Sequence, residues 1–402
     1  MPPTSELVPF ATLLITFLGT GYLLKRPMTT IESKGRDVQI DGFRSLLALG
    51  VIVWHFFIIR DVIWKNDSDW QPPQVSRLMS LTGGWTVYMF FAITAYLFVS
   101  KLLRTKEAEP GYWLKLYIGR FFRLIPVCGV ATILLLFLKP SLFQSLTDLS
   151  TLRGLLIMAT ASLSGGFGHI GDAAEQKWEY LCPTGSHWSL SSEWLFYFLL
   201  PIVGLANKPT RNLFWVALSL IILLLVRHHN LKDLTIGNWQ FVPGILVAII
   251  VHNLRNTKIF SSRFFGIICI FVVAAAPFLG SKLAYIPANT VFLLALIHDN
   301  PVTSFLKKSV LTHLGDTTFS LYILHGLVQY ATLKYIVTIQ IARSMPEWIW
   351  WLTCAGQIVV VVIISRFSFE YVEKPGIEAG KQCYRLLSIW ISGKAKWMLN
   401  WI

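Results

Sequence analysis

Long apolar runs alternate along this chain with short polar stretches rich in lysine and arginine, the pattern of membrane-crossing helices that need about 20 mostly apolar residues each. The runs fall near Leu7 to Leu24, Phe43 to Ile59, Trp85 to Leu103, Phe121 to Leu138, Leu190 to Ala206, Leu213 to Val226, Phe241 to Val251, Phe264 to Leu279, Tyr285 to Ile297, Phe319 to Ile339 and Trp348 to Phe369. They predict an all-α fold, a polytopic integral membrane bundle of about eleven transmembrane helices. A shorter run, "LRGLLIMATASL" from Leu152 to Leu163, cannot span and is predicted as a re-entrant or interfacial segment. After the last run, "QCYRLLSIWISGKAKWMLNWI" mixes Trp390, Trp397 and Trp401 with Arg385, Lys394 and Lys396, which predicts an amphipathic helix on the inner membrane surface.

The basic residues give these spans a direction. Lys25, Arg26, Lys34 and Arg36 precede the second run, and Lys101, Arg104, Lys106, Lys115, Arg120 and Arg123 lie about the gap between the third and fourth. Lys208 with Arg211, Arg255 with Lys258 and Arg263, and Lys307 with Lys308 mark later loops. If all of them face the cytoplasm, the spans alternate without contradiction, with the N-terminus outside and the C-terminus inside. That alternation requires Leu152 to Leu163 not to cross, and it places the loop from Ser164 to Trp188, with His169, Asp172, Glu175 and Glu179, on the outer side.

Composition supports the membrane reading: of 402 residues 54% are hydrophobic and only 14% charged, against roughly 25% charged in soluble domains. The net charge of +14 suggests nucleic acid in a soluble chain. Here the basic residues lie mainly between apolar runs, so they read as a topology signal and as attraction to anionic lipid headgroups, with no nucleic acid implied. The 5 cysteines show no CxxC or Cys/His spacing, so neither a metal site nor a disulfide framework is predicted. The apolar start "LVPFATLLITFLGTGYLL" has no basic stretch before it, and reads as a retained first helix rather than a removed signal peptide.

Several residues do not suit lipid. In "DGFRSLLALGVIVWH", Arg44 and His55 stand eleven positions apart, about three helical turns, which puts both on one helix face with a rise of roughly 16 Å between them. Arg44 falls near the cytoplasmic side and His55 past the middle. A neutral imidazole can take a proton from a hydroxyl near pH 7, so His55 is a candidate general base; a flank anchor and an interfacial histidine also account for the pair. In "GSHWSLSSEWLFYFLLP", Glu193 sits one turn inside an apolar helix entered from the outer side, at a depth comparable to His55, and requires a partner or an aqueous cavity. An acid favoured by the dipole at a helix start is the plainer explanation. In "YIGRFFRLIP", Arg120 and Arg123 share a face at a cytoplasmic mouth, where they either anchor the helix or bind phosphate oxygens bidentately. "LGDTTFSLYILHGLV" places His325 well inside a helix, and "FEYVEKP" closes the last span with Glu370 and Glu373. His325 fits a buried, hydrogen-bonded histidine as well as a working one.

Those stretches, together with "YMFFAITAYLFVSKLL" and "YVEKP", resemble in order the motifs of the membrane-bound acyltransferase-3 family, over about Ile40 to Pro375. The chain then divides into residues 1–36, an extra helix and basic linker; 37–376, the acyltransferase-3-like transmembrane domain; and 377–402, the basic amphipathic tail. Departures are "ITAYL", Thr94 to Leu97 lacking the glycine often found there, and a single acid, Glu193, before Trp194 where two are common. The resemblance implies a transferase that moves an acetyl or other short acyl group from acetyl-CoA or another acyl-CoA to a hydroxyl of a carbohydrate or glycoconjugate acceptor. It implies no metal, and a bacterial inner membrane.

Carried onto this chain, the resemblance makes Arg44 and His55 the signature pair, Arg120 and Arg123 the basic motif, and Glu193 the acidic one. Acyl-CoA phosphates would then lie near Arg44, Arg120 and Arg123, with the pantetheine arm threading toward His55 as base and Glu193 orienting the imidazole or holding the sugar. Trp188 and His325 are candidates to touch the acceptor, the former by stacking as Trp178 and Tyr180 could. A transporter of a lipid-linked sugar or amphiphile is the alternative, disfavoured because the chain shows no paired halves with matching Gly/Pro breaks.

Overall fold

The computed structural model describes residues 4–24, 37–65, 76, 79–104, 111–138, 188–205, 239–254, 257–279 and 282–394. Every regular element among them is helical and none is a strand. The runs Leu213 to Val226 and Leu152 to Leu163, the loop ahead of Trp188 and the end of the tail lie outside the described residues. In chain order the helices are α1 Thr4–Leu23, α2 Val38–Lys65, α3 Gly84–Arg104, α4 Tyr112–Leu138, α5 Trp188–Leu205, α6 Val242–Asn253 and α7 Arg263–Ala275. They continue with α8 Tyr285–Ile297, α9 Ser309–Asp316, α10 Thr318–Ala331, α11 Ile339–Ser344, α12 Glu347–Ser368 and α13 Lys374–Lys394.

Five helical stretches among the described residues are long and apolar enough to cross a membrane: Glu6–Leu23, Val38–Trp64, Gly84–Arg104, Tyr112–Leu138 and Glu347–Trp390. Shorter apolar helices cover Ser192–Gly204, Trp239–Asn253, Arg263–Leu279 and Tyr285–Ile297. The protein is a membrane protein, and it carries a wide apolar exterior that includes Ile15, Phe137, Phe264, Phe271 and Phe367. Such residues cost nothing against lipid chains and would be costly in water.

α2 is the centre of the bundle. Asp37 caps it by accepting the Ile40 N–H at 3.2 Å, and the helix is apolar on every side, as a helix enclosed by others must be. Of its apolar span, 78% is buried. Two clusters of buried side chains meet on it. Phe43, Leu47 and Val51 pack with α3, α4, α5, α6, α8 and α10, whereas Ala48, Ile52 and Phe56 pack with α1, α10 and α12. α2, α9 and α10 each contribute to both clusters, α9 through Leu311 and Leu314, and are packed from both sides.

Close backbone approach positions the neighbours. A Cβ at Gly244 of α6 would strike the Ala92 carbonyl oxygen of α3, so the glycine lets these two helices pack at small-residue distance. Gly376 of α13 does the same against α4, where a Cβ would come 2.6 Å from the Phe122 carbonyl oxygen.

Two boundaries differ from the sequence expectation. The span anticipated from Phe319 to Ile339 stops as an α-helix at Ala331, passes through a π turn at Thr332–Ile336 and restarts as α11. Thr338 makes the restart, since its side chain accepts the Ile341 N–H, while the apolar composition runs on through the break and hides it. The last span does not end at Phe369: a π turn at Phe369–Glu373 joins α12 to α13, and α13 packs against α4. The tail helix thus begins at Lys374, and its first turns dock onto the bundle.

Candidate active site

Four helices converge on a polar cavity of about 250 Å³. α2 contributes Arg44, α3 Lys101, α4 Arg120 and Arg123, and α5 Glu193, with Phe90 and Phe98 among its apolar walls. Four cations and one carboxylate in an otherwise apolar bundle are costly unless each is paired or the space is wet. The pairings are specific. The Arg120 guanidinium lies over the ring of Phe98 at 4.7 Å and that of Tyr197 at 5.6 Å. Arg123 Nε lies 3.6 Å from Oε1 of Glu373, a carboxylate only 1% exposed on the π turn after α12. Ser320 Oγ stands 3.3 Å from Glu373 Oε2 and 3.0 Å from Ser368 Oγ. Arg44 Nη1 is 3.9 Å from Asp41, and Tyr197 donates its hydroxyl to Glu193 at 2.9 Å.

A second, narrower cavity of about 50 Å³ adjoins the first, sharing Arg44, Phe90 and Glu193 with it. Its other lining residues include Val87, Phe91, Leu190 and Phe319, with Ser189, Thr318 and Tyr322 as its hydroxyl-bearing members. The broad cavity is polar and about five times as large as the mostly apolar slot. Ser189 Oγ and the Tyr322 hydroxyl are hydrogen bonded at 2.8 Å.

One turn beyond Tyr322 on α10, His325 meets His55. Their Nε2 and Nδ1 atoms are 3.2 Å apart, with ring centroids 4.9 Å apart and planes inclined by 49°. Both imidazoles are buried, 8% exposed for His55 and 4% for His325. Each is also tied to its own helix: His55 Nδ1 lies 2.8 Å from the Val51 carbonyl oxygen, and His325 Nδ1 lies 2.8 Å from that of Tyr322.

The sequence-derived candidates are therefore distributed over two centres. Arg44, Arg120 and Arg123 line one cavity. Glu193 joins them there, lining both cavities with Arg44 and bonding Tyr197, and the side chain found against His55 is His325 rather than Glu193. Equal depth in a bilayer does not mean contact, because it leaves the lateral packing of the helices open. Trp188 opens α5, and its side chain lies outside the described residues, as do His169, Asp172, Glu175, Trp178, Glu179 and Tyr180. No group of three potential metal ligands occurs among the described residues.

Tyr197, Tyr322, Ser189 and Lys101 were not singled out as site residues in the sequence. Tyr197 carried a usable signal, four residues after Glu193 on one helix face. Glu373 had been noted at the end of its span, but its pairing with Arg123 crosses from one helix to another and has no local signature.

A family model described as an acyltransferase domain matches residues 37–366. No curated protein and no solved structure matches the chain. The matched region begins at the cap of α2 and includes both cavities and both histidines.

Proposed function

The chain belongs to the acyltransferase-3 family, and on that premise we propose that it is an O-acyltransferase. It moves an acetyl or other short acyl group from cytoplasmic acyl-CoA to a hydroxyl of a sugar or glycosylated acceptor. The observation that carries this reading is the cavity where Arg44, Lys101, Arg120 and Arg123 converge, beside a narrower slot lined by Tyr322, one turn before His325 on α10.

Guanidinium groups hold phosphate oxygens through paired charge-assisted hydrogen bonds. Phosphates of the donor would occupy the broad cavity, and the unbranched pantetheine arm would follow the slot past Tyr322. Arg44 and His55, one helix face and about 16 Å apart along α2, mark the two ends of that path. His55 then removes the acceptor hydroxyl's proton as it attacks the thioester carbonyl. Glu193, in the wall common to both cavities, accepts hydrogen bonds from hydroxyl or amide groups brought to that junction. Trp188 would meet the acceptor.

Purified protein in detergent, given radiolabelled acetyl-CoA and a panel of glycans, should place label covalently on at least one glycan. Uptake of a glycolipid into proteoliposomes with no covalent label from any acyl-CoA would replace this reading with transport.

A further inference from the structure

The histidine pair fixes its own proton positions. A carbonyl oxygen can only accept a hydrogen bond, so His325 Nδ1, 2.8 Å from Tyr322 O, carries a hydrogen. In its neutral form His325 therefore presents a lone pair at Nε2. By the same rule His55 Nδ1, 2.8 Å from Val51 O, also carries a hydrogen. That hydrogen is shared with His325 Nε2 at 3.2 Å. In the neutral resting pair the reverse assignment would set the Nδ1 lone pairs of both His55 and His325 against carbonyl oxygens, whereas after a proton transfer only His55 Nδ1 faces one, and it then accepts from His325 Nε2–H. His55 is thus held with its lone pair at Nε2, the atom a base must use.

Resting on the acyl-transfer reading above, we propose that His325 is the positioning residue of a two-imidazole proton relay, taking the Nδ1 proton of His55 when His55 Nε2 takes a proton from the acceptor. The hydroxyl proton passes to His55 Nε2, and the His55 Nδ1 proton passes to His325 Nε2. The freed oxygen pair forms the bond to the thioester carbonyl carbon, the carbon–sulfur bond breaks, and its electron pair leaves on sulfur. The proton then returns from His325 through His55 to the thiolate, so that an ester and a thiol are the only products. In hydrolytic triads a carboxylate fills the place behind the histidine. A buried carboxylate would be costly at this depth in the bundle, and a neutral imidazole performs the same orientation without a standing charge.

Two substitutions give opposite orders under the two explanations of His325. His325→Gln can accept the His55 N–H but cannot take its proton, whereas His325→Glu can do both. A relay predicts a loss of turnover of about 100-fold for His325→Gln and about tenfold or less for His325→Glu, with acetyl-CoA affinity unchanged in both. A purely structural hydrogen bond predicts the reverse, and near-normal turnover of His325→Gln would overturn the proposal. The unsubstituted protein gives an independent reading in mixtures of light and heavy water. Two protons in flight make turnover a curved function of deuterium fraction, and a straight line counts against the relay even if neither variant folds. Absence of turnover with every acyl-CoA tried would instead overturn the acyl-transfer reading itself.

Discussion

His325 Nε2 lies 3.2 Å from Nδ1 of His55, although 270 positions separate the two residues along the chain. The contact joins α10 to α2, both of which contribute to both buried clusters, so packing holds the imidazoles from both sides. If His55 is the base, His55→Ala should lower turnover by about 10²–10⁴-fold while acetyl-CoA still binds with its original Kd. Rate and equilibrium binding measurements on one preparation decide this, and retained turnover would remove His55 from the chemistry.

Arg120 and Arg123 stand three residues apart and line one cavity, but their surroundings differ. Arg120 rests on the rings of Phe98 and Tyr197, whereas Arg123 neutralises the buried carboxylate of Glu373. Both alanine variants should weaken donor binding, by about 1.5–3 kcal/mol each for a lost charge-assisted contact, or roughly 10–100-fold in Kd. Titration calorimetry with CoA reads this directly, and an unchanged Kd in both variants would refute phosphate recognition here.

The same contrast separates their stability. Arg123→Ala leaves Glu373 buried without the cation paired to it, a loss of up to about 3–5 kcal/mol. Arg120→Ala loses ring contacts worth about 0.5–2 kcal/mol. Thermal unfolding in one detergent should therefore rank Arg123→Ala below Arg120→Ala. Adding Glu373→Gln to Arg123→Ala should recover part of the difference, because the orphaned charge goes with it.

Gly244 offers a test of packing alone. Its missing Cβ leaves room for the Ala92 carbonyl of α3, and Gly244→Ala forces α6 away by overpacking, at a typical cost of about 1–3 kcal/mol. A lower unfolding midpoint with unchanged donor affinity is the expected pair of results, since Gly244 lines neither cavity.

The residues that could be read from the sequence are those whose relation is local. The period of an α-helix puts Arg44 and His55 on one face and Arg120 beside Arg123, and the structure keeps both arrangements on unbroken helices. Apolar run length found α8 at Tyr285–Ile297 to the residue, but it read through the π turn after α10 and stopped at Phe369, where Glu370 and Glu373 end the apolar run although the helix continues through a π turn into α13. Counting rise along a helix placed Glu193 by depth. Depth alone does not say which helix faces which, and the His55 to His325 contact and the Arg123 to Glu373 pair exist only once α2, α4, α10 and α12 are packed together.

Glu193 remains the residue whose two possible contributions pull in opposite directions. It is the one carboxylate lining a cavity with four cations, and at an effective dielectric near 20 a unit charge several ångströms away is worth on the order of 2 kcal/mol. Removing that charge in Glu193→Gln should therefore tighten the binding of a polyanionic donor by up to about 30-fold. If Glu193 also holds a group of the reacting partners at the junction of the two cavities, turnover should fall by about 10–100-fold at saturating donor, despite the tighter binding. A lower kcat with a lower Kd for CoA is the expected combination. Tighter binding with unchanged kcat would confine Glu193 to charge balance, and weaker binding would contradict its place among the arginines. Tyr197→Phe, which keeps the ring under Arg120 and deletes only the hydroxyl bonded to Glu193, should shift kcat in the same direction by a smaller factor, because the carboxylate stays but loses a donor that orients it.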